Sequence, residues 1–165
     1  MSKIVILRAQ LGMPQINSSI DKIRMENPPM ADFIANSDTV PLIKECAQKA
    51  LERLYGQAGI KKGATVTDYY GNPANERFVG IMATGELPKG LGVIVRDSGM
   101  IEFAADSFRP EWKEEIRRLQ ALFADAFIAE LTAAIMEIMA CENVTIQSIP
   151  DGRGGFAYNV AGEKQ

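Results

Sequence analysis

The longest hydrophobic pattern in the chain has helical spacing and starts shortly after Pro110. Apolar side chains recur every three or four positions up to about Cys141, and proline is favoured in the first turn of a helix. The stripe consists of Trp112, Ile116, Leu119, Phe123, Phe127, Leu131, Ile135 and Ile138. This pattern predicts a long amphipathic helix near the end of the chain.

A second stripe of the same period occupies residues 43–54. Ser37 and Asp38 precede it and offer side-chain oxygens for an N-cap, while Gly56 follows it and can end a helix in the left-handed conformation. The sequence therefore predicts a first, shorter helix of about four turns.

Between these stripes the apolar positions alternate with a period of two, which is typical of strands. The predicted strands are residues 65–70, 77–84, 91–96 and 100–105. The last two flank Asp97, Ser98 and Gly99, a three-residue hairpin loop with glycine available for a positive φ. If Arg96 pairs with Met100, one face of this hairpin holds only apolar residues. That predicted core face is Leu91, Val93, Val95, Ile101, Phe103 and Ala105.

Further short strands are predicted at residues 3–8, 144–149 and 156–160, whereas residues 9–37 show no period and are predicted to form a long loop or arm. Strands in meander order with flanking helices favour an α+β fold, with an antiparallel sheet and both helices on one face. A chain of 165 residues fits a single domain.

Composition narrows the functional classes. With 21 acidic and 18 basic side chains, the chain has no overall attraction for nucleic acid. It contains no histidine and only two cysteines, Cys46 and Cys141, in no ligand spacing, so no metal or other cofactor is predicted and a cytoplasmic location is expected. Residues 121–141 are long enough for a membrane span but include three acids, so we expect them inside protein and predict no membrane contact.

The sequence between residues 59 and 106 is similar to a known family. The residues that carry the likeness are Val66, the turn Tyr70-Gly71-Asn72, Leu91-Gly92, Arg96-Asp97-Ser98-Gly99, Ile101-Glu102-Phe103 and Ala105-Asp106. They resemble a family of small uncharacterised proteins found in bacteria and, as a hypothetical reading frame, in the chloroplast genomes of some algae. The resemblance implies no catalytic residue and suggests a role beside ATPases of the AAA class. This chain departs from the family by an insertion at residues 11–37 and by Val93 where relatives often have an aromatic residue.

Two sets of residues are candidates for function. Tyr70, Arg96, Glu102 and Asp106 are candidates to line a ligand pocket between sheet and helices, although the favoured interpretation is that the charged ones are solvated. The second set lies on the long helix outside its main stripe, where Glu130 and Glu137 are predicted to mark a narrow wet edge. Its members are Ala124, Ile128, Met136 and Met139.

These sets lead to two hypotheses. The apolar second face of the long helix favours a non-catalytic accessory or protein-interaction role, as a homo-oligomer or with a protein partner. The alternative is a small-molecule-binding domain or an enzyme that uses the charged set.

Overall fold

The structure is a computed structural model, and it describes residues 4–8, 40–67, 73, 76–97, 99–106, 109–138, 140–152 and 154–164. The predicted arm at residues 9–37, Tyr70 and Met139 lie outside the described residues.

The main sheet has five antiparallel strands in the order β1-β5-β4-β3-β2. They are β1 (Ile4–Arg8), β2 (Lys61–Lys62), β3 (Gly80–Ala83), β4 (Leu91–Val95) and β5 (Ile101–Asp106). Strands β2 to β5 form a meander, and β1 pairs with the remaining edge of β5, with Leu7 opposite Phe103. The opening strand of the chain thus lies beside the last strand of the meander.

Two helices, α1 (Val40–Leu54) and α2 (Pro110–Ile138), form one core with the same face of this sheet. The rings of Phe103 in β5 and Phe123 in α2 meet edge to face with centroids 5.6 Å apart. Seven of the eight residues in the predicted main stripe of α2 are buried, and Ile138 is half-buried against the core. The structure therefore confirms the predicted α+β fold with two helices on one face and a long second helix.

The hairpin of β4 and β5 has the predicted register. The N–H of Arg96 donates to the carbonyl of Met100 at 2.9 Å, and Val95 lies opposite Ile101. Gly99 adopts the positive φ that the loop requires, at 85°. The predicted apolar face is buried in the core, with Val95 only partly covered.

The strand predicted at residues 65–70 is not formed over residues 65–67, the part of it that the structure describes. The pairing with β3 is made earlier, by the exposed Lys61 and Lys62, and Thr67 forms only an isolated bridge to Pro73. A two-residue strand with lysines at a sheet edge blocks further strand pairing. Val66 is completely buried outside any strand, which shows that tertiary packing overrides β-propensity here.

A second sheet consists of the hairpin β6 (Cys141–Pro150) and β7 (Phe156–Lys164), which is longer than the sequence predicted. This hairpin lies along α2. A Cβ placed on Gly155 would lie 3.5 Å from Leu122, and one placed on Gly162 would lie 2.9 Å from Met136. From 122 to 136 a helix rises about 21 Å, and from 155 to 162 a strand extends about 23 Å, so β7 runs beside α2 in the same direction.

The charged edge predicted for α2 is only half correct. Glu137 is exposed, but Glu130 is 8% exposed because Arg53 of α1 reaches it, with Nε donating to Oε1 at 3.0 Å. The packing of α1 on α2 brings these two side chains together. None of the helices in the described ranges has the length and hydropathy that a membrane span requires.

Candidate functional site

The charged set of the sequence analysis centres on Arg96, which follows β4. Its Nε donates to Oε2 of Glu102 at 2.7 Å, and its two terminal nitrogens donate to the carboxylate of Glu76 at 3.0 and 3.2 Å. Hydrogen bonds to Glu76 and then to Glu102 raise the pKa of Arg96 above its ordinary value. The guanidinium is therefore engaged by two carboxylates.

Glu102 and Asp106 are buried, contrary to the expectation that they are solvated. Glu102 is 5% exposed and Asp106 is completely buried. They alternate along β5 with core residues such as Phe103, so they lie on the sheet face that points away from the helices. Phe78 covers part of that face, since a Cβ on Gly92 would lie 2.3 Å from its ring.

The structure brings together only part of this set. Arg96 and Glu102 are in contact, whereas Asp106 lies four residues farther along β5, about 13 Å at the rise of a strand. A pocket of about 510 Å³ beside Arg96 also includes Lys44 and Gln48 of α1. Within the described ranges no three potential metal-ligand side chains converge.

A second and more apolar feature lies between α2 and β7, and we call it the α2–β7 groove. Its volume is about 560 Å³. The residues that line it are Asp125, Ile128, Ala129, Thr132, Phe156, Ala157, Tyr158 and Val160. It is an open groove rather than an enclosed cavity, because Ile128, Phe156 and Tyr158 remain only half-buried.

The alternation of β7 positions the walls of this groove. Phe156, Tyr158 and Val160 are half-buried, whereas Ala157 and Asn159 between them are exposed. The half-buried face therefore turns toward α2, where the rings of Phe156 and Tyr158 lie 6.5 Å apart.

Two polar groups of the groove are the carboxylate of Asp125 and the hydroxyl of Tyr158. Asp125 is exposed at the groove, and its partial burial, followed by the nearby carboxylate of Asp151, raises its pKa. The hydroxyl of Tyr158 is buried without a hydrogen-bond partner among the described residues. Burial raises the pKa of Tyr158, and the acids Asp125 and Glu130 add to this although Arg53 opposes it.

The predicted interface residues fall partly on this groove. Ile128 lines it, Met136 packs against Gly162 of β7, and Ala124 is half-buried on the same helix. The hairpin thus supplies part of the second apolar surface that the helix was expected to need. The sequence analysis missed the wall formed by β7, although the alternation of Phe156, Tyr158 and Val160 was a signal for it.

Comparison with known proteins does not place the chain. No protein-family model, curated protein or solved structure matches it. The family resemblance described above therefore stays a prediction.

Proposed function

We propose that this chain is a non-catalytic interaction protein that binds another protein through the α2–β7 groove. The observation that carries the proposal is the half-buried apolar lining formed by Ile128, Phe156 and Tyr158, which is held on two packed elements and remains open. Contiguous exposed apolar surface with a polar rim is typical of protein-binding sites.

The chemistry of the lining favours a protein over a small polar ligand. Aromatic side chains are enriched at the centres of protein interfaces, where they supply contact area at low entropic cost. By contrast, the pocket beside Arg96 offers a guanidinium that Glu76 and Glu102 already engage. The hypothesis of a small-molecule site stays a prediction, which stabilisation against heat by one class of metabolite would support.

Site-specific photocross-linking in the native cell tests the proposal. A photoreactive amino acid at Ala157, an exposed residue of the groove, is expected to give a discrete cross-linked protein species. The matched control is Ala121, which is exposed on α2 and does not line the groove. Equal cross-linking from both positions, or none from Ala157, would refute a binding role for the groove.

A further inference from the structure

The outer edge of β7 is an edge of the second sheet. In the described part of the chain, β7 pairs only with β6. At the loop, Asp151 N–H donates to Gly155 at 3.1 Å, and Pro150, which has no N–H, lies opposite Phe156. Because hydrogen-bonded and non-hydrogen-bonded pairs alternate in an antiparallel ladder, the backbone groups of Tyr158 and Val160 point to the outer edge.

This edge lacks the usual protection against pairing. Residues 154–162 carry no charged side chain and no proline. Natural sheets guard exposed edges with charges, prolines or very short strands, as β2 of this chain does with Lys61 and Lys62. Within β7 the seven residues 156–162 therefore form an unguarded edge, which is a ready template for another strand.

The floor beside that edge suits the side chains of an added strand. The α2–β7 groove is lined by residues of α2 and β7 and by none of β6, so we infer that it lies on the outer side of β7, with Ile128, Ala129 and Thr132 of α2 as its floor. Alternate side chains of a strand paired with β7 would lie over this floor, and those between would face solvent. The backbone edge and the apolar groove therefore form one site.

Charge specifies the occupant further. Asp125 is the charged residue among those that line the groove. Its side chain is exposed, and Asp151, the charged neighbour that raises its pKa, is also an acid. A lysine or arginine of the occupant would favour the ionised carboxylate.

We propose that the α2–β7 groove binds an extended segment of a partner protein that adds as a third strand to β7, with apolar side chains at alternate positions and a lysine or arginine beside Asp125. This inference rests on the proposed function and specifies its ligand.

Selection from a displayed library of short random peptides on the full chain tests the inference. Enriched peptides are expected to alternate apolar residues and to contain a basic residue. The backbone nitrogens of a selected peptide can be methylated one at a time. Methylation at every second position is expected to weaken binding about tenfold, because only alternate N–H groups of an added strand donate hydrogen bonds to β7. Amide hydrogen exchange is expected to slow at Tyr158 and Val160 when the peptide is bound.

Asp125→Asn is expected to weaken binding of the basic peptide about tenfold. The matched control is Glu137→Gln, which removes an exposed charge from the same helix and is expected to change nothing. Strand addition is overturned if no peptide is selected. It is also overturned if N-methylation of a selected peptide weakens binding at positions that do not alternate. Amide hydrogen exchange at Tyr158 and Val160 could instead slow as the concentration of the chain alone rises, with a dimer mass by light scattering. That result would show that the strand bound to β7 comes from a second copy and would overturn the proposal of a different partner protein. Cross-linking at Ala157 without any strand signature refutes this inference and leaves the proposed function standing.

Discussion

Replacing Tyr158 with phenylalanine removes one hydroxyl and leaves the ring in the wall of the α2–β7 groove. That hydroxyl is buried and has no hydrogen-bond partner within the described residues. Burial of an unpaired hydroxyl costs about 1–3 kcal/mol in protein mutational data. The ring keeps its neighbour Phe156, whose centroid is 6.5 Å away. We therefore expect Tyr158→Phe to raise the free energy of unfolding by about 1 kcal/mol.

Tyr55→Phe is the matched control, because the hydroxyl of Tyr55 has a hydrogen bond with the backbone of Ile81. Loss of that bond is expected to lower the free energy of unfolding by about 1 kcal/mol. Urea denaturation of both variants and the wild type measures the two changes in the free energy of unfolding. The comparison requires the same m-value, the slope of that free energy against urea concentration, for all three proteins. If Tyr158→Phe destabilises the protein as Tyr55→Phe does, the Tyr158 hydroxyl has a stabilising partner and the polar description of the groove wall is incorrect.

Three further predictions concern two positions in the packed interior and one buried carboxylate. Phe103→Ala is expected to lower the free energy of unfolding by about 3–5 kcal/mol because the side chain is fully buried, and a loss under about 1 kcal/mol in urea denaturation would place it outside the core. Gly92→Ala is expected to cost about 1–3 kcal/mol by calorimetry because its Cβ would overlap Phe78, whereas Gly85→Ala, with open space around it, should cost far less. Burial pushes the pKa of Glu115 up, but hydrogen bonds from neighbouring side chains outweigh it and leave this pKa lowered. Its stabilisation is therefore present at neutral pH and is lost as pH falls below 4.5, the ordinary pKa, and through the lowered pKa. Glu115→Gln should accordingly flatten the loss of stability in this acid range, and an unchanged loss would show that another carboxylate governs it.

The features that the sequence predicted are those encoded locally. The loop at residues 97–99 and the alternation on both sides of it determine the β4–β5 register, and Gly99 takes the positive φ that the loop needs. The helical period alone identified the buried stripe of α2, from Trp112 onward. Both signals lie within a few residues of the contacts that they specify.

The features that it did not predict depend on residues far apart in the chain. Nothing near Glu130 indicates that Arg53 will lie beside it, because that contact forms only when α1 packs on α2. Likewise, the alternation of β5 placed Glu102 away from the core but did not show that its own face would be covered. Pairing of β1 with β5 joins the first strand of the chain to the last strand of the meander and has no local signal.

The candidate site divides in the same way. Ile128 was identified from its position outside the main helical stripe, which is a local property of α2. The groove itself needs the hairpin to fold back along the helix, so that Tyr158 and Ile128 line the same groove. Its existence follows from the tertiary arrangement and not from either segment alone.

The affinity of the cross-linked partner for defined variants tests the central claim most directly. Titration calorimetry with the partner identified through Ala157 would compare the wild type with Ile128→Glu, which places a charge in the apolar lining. The control is Ala121→Glu, an exposed position two turns earlier on the same helix face that does not line the groove. If the α2–β7 groove is the binding surface, Ile128→Glu weakens binding by at least about tenfold while Ala121→Glu leaves it unchanged. Equal affinity of the three folded proteins for the partner would contradict the account.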